Sequence, residues 1–499
     1  MVEMITNVNS AVNSFVWGIP MLVLLVGTGI LMTALTKFFQ LSHIGHWFKN
    51  TIGGIFKDEH ITKHTDKEDQ SISQFQSLCT ALAATIGTGN IVGVASALIS
   101  GGPGAIFWMW IVAFFGMMTN YSENVLGIYY RRKNERNEWS GGAMYYLKDG
   151  LGSYKGFKQI GAVLAVLFSI FCVLASFGIG NMSQINSISG NMKSAFGVPT
   201  YVTGIALLIL AALVIVGGLK RIASVTEKLV PFMAIIYVLG AVALFIMNID
   251  QCGAVFSAIF KGAFGLRAVG GGIVGSGVKM ALTWGMKRGV FSNEAGLGSS
   301  VMVHSSSNVK EPVRQGMWGI FEVFADTIVV CTLTAFVVLS SGLVDLETGA
   351  VLSSSEGSAL VGEAFATRFG NAGPMFIAIA ILLFAFSTVL GWSHYGSKAW
   401  EYLFGTKSMI VYKIVFVLMI YVGATMNLGL AWDLSDTFNG LMAIPNLIGV
   451  LSLSPIVMKI TRNYVARMLK KENVKPMLSA FPDIEETHAA ELKEMYRDK

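Results

Sequence analysis

The sequence predicts an all-α membrane protein of eleven transmembrane helices, one N-terminal helix followed by two five-helix inverted repeats. Three observations predict it. Hydrophobic residues make up 53% of the 499-residue chain and DEKR only 13%, about half the charged share of a soluble globular protein. That excess needs lipid as its solvent, which excludes a soluble enzyme and a disordered chain. Eleven apolar stretches reach roughly the 20 residues that a helix needs to cross a bilayer core. Two of them carry glycine-rich interruptions and stand five segments apart, the spacing of a discontinuous helix opening each of two inverted repeats.

The segments run near 15–36, 73–99, 105–130, 159–190, 200–217, 226–248, 270–303, 315–341, 372–403, 409–427 and 430–457. This divides the chain into an N-terminal helix with a polar loop (1–72), a first repeat (73–250), a second (251–458) and a charged tail (459–499), expected to hold a short helix. The loop opens amphipathically, FFQLSHIGHWF. No signal peptide is expected, because MVEMITNVNS carries no basic residue ahead of the apolar run. Cys79, Cys172, Cys252 and Cys331 read as small packing residues with no disulfide framework. With the N-terminus outside, of 36 Lys and Arg only Lys193, Lys261, Arg267, Lys279 and Arg368 fall outside or near it. The positive-inside rule therefore places the N-terminus outside and the C-terminus in the cytoplasm. The net charge of +6 reflects this asymmetry, and no nucleic-acid partner is implied.

In the second segment Thr85-Ile86-Gly87-Thr88-Gly89-Asn90 falls at mid-depth. In the seventh, Gly270, Gly271, Gly272, Gly275 and Gly277 lie upstream of Gly285 and Gly289. Glycine lowers the cost of leaving the helix, and irregular backbone inside a membrane persists only where it lines a cavity. The alternative for scattered glycines is close helix packing. A broken helix offers free N–H groups to a carboxylate and free C=O groups to a hard cation. Thr85, Thr88 and Asn90 add hydroxyl and amide groups there, unless the threonines bond back to their own helix.

The ninth segment, FIAIAILLFAFSTVLGWSHYG, is interrupted by Ser387 and Thr388 and then by Trp392. Two hydroxyls, the Phe384 carbonyl and carbonyls of the second segment make an oxygen shell without a carboxylate, which suits a monovalent cation. Phe177, Asn181 and Gln184 follow i, i+4, i+7 and share one face of the fourth segment. They could enclose a small solute or serve interhelical hydrogen bonding. Glu123, Glu322 and Asp326 are intramembrane acids and functional candidates by type: they could bind a cation, relay a proton, or pair with Lys279 or Arg267. Lys287-Arg288 through Glu294 reads as a cytosolic-side ion network, and His394 as the one histidine within a spanning segment. Trp284 and Trp392 could gate or pack. No HExxH motif is present, so a membrane enzyme is not expected. A passive channel would need a continuous polar pore.

Three stretches, GGPGAIFWMWIVAFFGMM (101–118), FQSLCTALAATIGTGNIVGV (75–94) and GMKRGVFSNEAGLGSS (285–300), resemble the marked motifs of the alanine or glycine:cation symporters, and the likeness covers about residues 15–460. It implies Na⁺-coupled, sometimes H⁺-coupled, uptake of small neutral L-amino acids (alanine, glycine), with Na⁺ as coupling ion and no cofactor. It further implies the inverted-repeat fold of the neurotransmitter:sodium symporters with one extra N-terminal helix, set in the plasma membrane, here a bacterial inner membrane. No obligatory protein partner is implied. Carried over by motif, Thr85, Gly87, Thr88, Gly89 and Asn90 meet the substrate's carboxylate and ammonium, with Phe177, Asn181, Gln184 and Trp392 around its side chain. Sodium is expected between Thr85, Thr88, Phe384, Ser387 and Thr388. The GGPGAIFWMW run is expected to serve helix packing. The alternative within the same fold is a proton-coupled or glutamine- or serine-preferring symporter.

Overall fold

The computed structural model describes residues 2–65, 69–265, 274–426 and 429–495. Helix covers each of the eleven apolar segments. The first is longer than predicted: α1 (Val2–Val16) and α2 (Ile19–Leu35) meet at Gly18 and Pro20. By length and apolarity seven helices among the described residues can cross a membrane, or nine if two bent pairs each count as one span. Helix α8 (Thr200–Ile215) falls short of that test, and α11 (Val274–Asn293), which carries Lys279, Lys287 and Arg288, also stands outside the set. The predicted count of eleven is therefore not reached by this measure.

The element order explains where the interior sits. The first bent pair is α3 (Gln74–Thr85) and α4 (Val92–Gly101), turning by 57° between Thr85 and Thr88. After α5 (Gly104–Tyr129) come α6 (Lys158–Phe177) and α7 (Ser183–Phe196), joined by a π-helical turn at Gly178–Met182. Helices α8, α9 (Gly218–Met247) and α10 (Cys252–Phe264) lead into α11, a break, and the single turn α12 (Val301–His304). Helices α13 (Pro312–Val323) and α14 (Thr332–Leu339) are likewise joined by a π-helical stretch, Phe324–Cys331. Then follow a short helix not foreseen in the sequence, α15 (Gly357–Phe369), the long α16 (Ala372–Phe404), α17 (Met409–Thr425), α18 (Gly429–Ser452) and α19 (Ser454–Tyr464), bent by 58° from α18. The outward faces of α6, α8, α9 and α17 expose Val163, Ile209, Leu239, Leu418 and similar residues, as expected where lipid covers the surface. Gly270, Gly271 and Gly272, like Arg267 and Lys67, lie outside the described residues.

Close approaches set the packing. A side chain at Gly104 would collide with the Gly262 backbone at 2.3 Å, and one at Gly285 with the Ala105 carbonyl at 2.3 Å. Gly285 and Gly289 thus serve close helix packing. Phe107 and Trp110 stack onto Phe256, Phe260 and Phe264 of α10, so the GGPGAIFWMW run is packing material. The four cysteines are free.

One end of the bundle is polar and tightly tied. A short hairpin pairs Arg132–Lys133 with Trp139–Ser140. Arg131, fully buried, donates to the carbonyls of Ser305, Ser307 and Val309 at 2.5–3.1 Å; burial lowers its pKa to about 9, so it stays charged at neutral pH. The tail turns back as α20 (Pro482–Met495) over this end. There Arg467 grips the buried Glu311 with two bonds of 2.7 and 2.9 Å, and the Ala480 amide donates to the Tyr129 carbonyl at 2.9 Å. Removing one partner of such a pair strands the other charge. Arg467→Met is expected to cost about 3 kcal/mol of stability, read as thermal unfolding in detergent, and adding Glu311→Gln should recover most of that loss.

Candidate functional site

The first break begins where α3 runs out of hydrogen-bond partners. The helix starts with a capping box between Ser73 and Gln76 and ends at Thr85; the Gly87 and Thr88 amides then turn to side chains instead of to the preceding turn. Gly87 N donates to Asn90 Oδ1 at 2.9 Å and Thr88 N to Gln184 Oε1 at 3.4 Å. The freed Ala83 carbonyl meets both hydroxyls of α16, Ser387 Oγ and Thr388 Oγ1, each at 3.1 Å. The same hydroxyls lie 2.8 and 3.0 Å from the Phe384 carbonyl. Two carbonyls and two hydroxyls thus converge with only two protons among them. That leaves lone pairs for a hard monovalent cation, and no carboxylate joins them.

Of the five predicted cation ligands, Phe384, Ser387 and Thr388 come together, and the carbonyl opposing them is that of Ala83. Thr85 turns away: its hydroxyl bonds back to the Ala81 carbonyl at 3.3 Å, the usual behaviour of a threonine inside a helix. Thr88 shares the cavity wall with Thr388, and its hydroxyl is buried and without a hydrogen-bond partner among the described residues. Gly87 is required by space, since a side chain there would meet Thr388 Oγ1 at 2.4 Å.

The second break lies lower than the glycines suggested. Helix α11 continues through Gly285 and Gly289 and stops at Asn293, where Glu294, Gly296 and Gly298 adopt φ of 58°, 92° and 74°, values that end a right-handed helix. Asn293 Oδ1 caps the Ala295 amide at 3.0 Å. Asn446, whose Oδ1 accepts the Tyr146 hydroxyl, donates to the Gly296 carbonyl at 2.9 Å and to Glu123 at 2.5 Å. Asp326 joins the two breaks. It accepts from Asn90 Nδ2 at 2.7 Å, Ser292 Oγ at 2.8 Å and Thr327 Oγ1 at 2.7 Å, from within the π-helical stretch of its own segment. Asn90 is therefore a pin between the breaks and does not line the cavity.

Between the breaks lies a cavity of about 20 Å³, walled by Ala84, Thr85, Gly87, Thr88 and Gly89, by Ile179 and Gln184, and by Phe291, Glu294, Thr388, Trp392 and Asn439. A space of that size holds about one water. The π-helical turn corrects the predicted stripe on the fourth segment. The extra residue rotates the helix, so Gln184 reaches the cavity while its expected companions do not. Phe177 packs on Tyr412 and Phe416 with ring centroids 5.2 and 6.0 Å away, and Asn181 donates to the Phe416 carbonyl at 2.6 Å. Gly180 replaces them against the Trp392 ring, where a side chain would sit 2.5 Å away.

Glu294 is the wall residue that the sequence reading misplaced. It accepts from Trp392 Nε1 at 2.9 Å and from Ser299 Oγ at 2.5 Å. Its signal is the following Gly-Leu-Gly, whose left-handed glycines mark the end of α11. Lys287 and Arg288 do not form a network with it. Lys287 binds Asp436 at 3.0 Å, and Arg288 faces a cavity shared with Ser96 and Ser100 of α4, at the end of the bundle opposite the tail. Lys279 is exposed and pairs with none of the buried acids. Glu322 instead meets the buried His304 at 3.0 Å, a second interior histidine beside His394. Among the described residues no cluster of His, Cys, Asp and Glu could hold a metal ion.

A largely apolar helical bundle, with two broken helices meeting at a small polar cavity beside an oxygen cluster, defines a membrane transporter. Its fold resembles that of a mutant of the Eremococcus coleocola manganese transporter, with a TM-score of 0.50 at 12% identity over 87% of each chain. The profile of the sodium:alanine symporter family matches residues 2–479, and the chain belongs to that family. It is a symporter and not an enzyme. The sodium/alanine symporter AgcS of Methanococcus maripaludis is 46% identical over 462 residues, 91% of this chain and 96% of that one. The probable sodium/glutamine symporter GlnT of Bacillus subtilis is 35% identical over 490 residues, 98% and 96%.

The clasp at Asp326 yields a prediction independent of the transported solute. Asp326→Ala leaves the Asn90 amide and the Ser292 hydroxyl buried with only long contacts to the residue 326 carbonyl and Cys331 Sγ, a loss of about 2 kcal/mol. Thermal unfolding in detergent should fall accordingly, and Asp326→Asn, which keeps one acceptor oxygen, should recover at least half of the loss.

Proposed function

We propose that this protein imports small neutral amino acids, alanine and glycine foremost, by coupling them to Na⁺ through alternating access. The observation that carries the proposal is the oxygen cluster of Ala83, Phe384, Ser387 and Thr388 directly beside a cavity with room for very little. Sodium binds in that cluster and the amino acid in the cavity. The substrate carboxylate takes the amides of Thr88 and Gly89 and the unpartnered Thr88 hydroxyl beside Gly87, close enough for the ion to neutralise it. The ammonium faces Gln184 Oε1 and Glu294, and the methyl group lies toward Ile179, Phe291 and Trp392.

The bulky wall of Phe291 and Trp392 favours alanine or glycine over glutamine, the solute in the name of the Bacillus subtilis relative. A glutamine side chain would have to displace Trp392, which Glu294 and Gly180 hold on two sides. In this reading residues 73–250 and 251–458 are inverted repeats behind one extra helix. The N-terminus lies outside, and the tail end of the bundle, rich in Lys and Arg, lies in the cytoplasm of a bacterial inner membrane. Moving one charge across 100 mV is worth about 2.3 kcal/mol, so one Na⁺ sustains roughly 50-fold accumulation.

The test is uptake of radiolabelled alanine into proteoliposomes with and without an inward Na⁺ gradient at fixed pH. Accumulation that requires Na⁺ and is competed by glycine supports the proposal; accumulation driven equally by a proton gradient in Na⁺-free medium overturns the choice of ion. Thr388→Ala should raise the Na⁺ concentration for half-maximal uptake by about tenfold, as expected for losing about 1.4 kcal/mol at a ligand. Gln184→Ala should weaken alanine binding by about tenfold, whereas Asn181→Ala should leave it within twofold and lower thermal stability instead.

A further inference from the structure

On the α4 side of the central cavity lies a far larger one, about 910 Å³, between α4, α7, α11 and α15. Among the described residues its lining holds one cation, Arg288, and two carboxylates, Glu356 and Glu363; the rest is uncharged. Phe291, one turn further along α11, belongs to the wall of the central cavity, and the Arg288 guanidinium carbon stands 5.6 Å from that ring and 5.2 Å from the ring of Trp284. The arginine therefore sits at the passage between the two spaces.

Its hydrogen bonding is unfulfilled. Among the described residues Arg288 has no ion pair or hydrogen bond, and its Nε is buried without an acceptor. Asp436 on α18 attracts Arg288 electrostatically without pairing with it; its Oδ2 takes Lys287 at 3.0 Å and Asn13 at 3.1 Å, and its Oδ1 has no hydrogen-bond partner among the described residues. Glu363 accepts from Ser353 at 2.5 Å, and Glu356 is exposed at the rim. A guanidinium drawn out of water without an acceptor is costly, and a planar carboxylate matches its fork in two parallel bonds. Aromatic faces on two sides hold the fork in place. Two carboxylates on the same wall attract an ammonium group and repel a solute that is only an anion.

We propose that this vestibule is a second amino-acid site, where the zwitterion docks by its carboxylate on Arg288 before passing Phe291 into the central cavity. The proposal rests on the reading of the protein as a carrier of small amino acids. Occupancy of the vestibule replaces part of the substrate's hydration before the narrow passage, and the arginine selects for a free α-carboxylate.

Binding of radiolabelled alanine to the purified full-length protein tests it, with the central site closed by Gly87→Leu, whose side chain overlaps Thr388. The Gly87→Leu protein should retain one weak site that glycine competes for and alaninamide, lacking the carboxylate, does not. Adding Arg288→Gln should weaken that site at least tenfold. Residual binding that ignores Arg288→Gln, or no residual binding up to tens of millimolar in folded protein, overturns the vestibular site. Should Gly87→Leu fail to fold, uptake by Arg288→Gln decides instead. The KM for alanine should rise at least fivefold with kcat within twofold, and Arg288→Lys should recover part of it; an unchanged KM overturns the proposal. Wild-type protein that neither binds nor accumulates alanine would instead refute the carrier reading itself.

Discussion

The structure depends on one constraint: two stretches of backbone leave the helix where no bulk water can satisfy them. In lipid every freed N–H and C=O must find a partner within the protein, and the solution here is a set of side chains shared between the breaks. Asp326 accepts from Asn90 beside the first break and Ser292 at the edge of the second, so neither break is satisfied alone. Asn90 repeats the device on its other side, giving its oxygen to Gly87. Asn446 does the same for the Gly296 carbonyl. Between the breaks two features stay unmatched: the Thr88 hydroxyl, and the lone pairs around Ala83 and Phe384. A polar cavity at this depth is the part of the network left for a ligand to complete.

The same economy explains the glycines. Along α5 the neighbours approach as near as backbone allows, Gly285 on Ala105 and Gly316 on Tyr121, while Gly319 lies against Asn120 and Asn124. These contacts bind α5, α11 and α13 closely together. Gly391 against Ala84 and Gly180 against Trp392 bring α16 equally close to α3 and to the π-helical turn.

Much of this is legible in the sequence because it rests on local chemistry. The TIGTGN break announces itself by two glycines and three polar residues within an apolar run, and the adjacent hydroxyls of Ser387 and Thr388 by interrupting another. What escapes depends on register or on partners distant in sequence. Spacing of i, i+4, i+7 assumes an unbroken α-helix, and the π-helical turn at Gly178–Met182 turns Phe177 and Asn181 away while leaving Gln184 at the cavity. Glu294 follows a Lys-Arg pair by six residues, and charge alone groups it with them. Its place is set instead by the left-handed glycines beyond it and by Trp392, far along the chain. Density of glycine points upstream of residue 285, whereas the break falls in NEAGLGSS, where positive φ is needed. The Ala83 carbonyl, an ordinary backbone oxygen, carries no signal in the sequence.

Rigidity of the wall follows from how Trp392 is held. Its indole nitrogen donates to Glu294 on the second break, one face lies against Gly180, and the ring meets Tyr395 edge-on at 5.5 Å. The first two contacts come from other elements, so shifting the ring means displacing the second break and the π-helical turn. A hydrophobic pocket distinguishes a missing methylene only weakly, by about 1–3 kcal/mol, which makes steric exclusion of larger side chains the stronger means of selection. Exclusion of that kind requires a wall which cannot yield, and a ring held by two other elements is such a wall. Glu294 thereby has two duties, keeping the indole in place and turning its carboxylate toward the cavity. The residue that fixes the position of the wall is thus the same one that gives the cavity a carboxyl group.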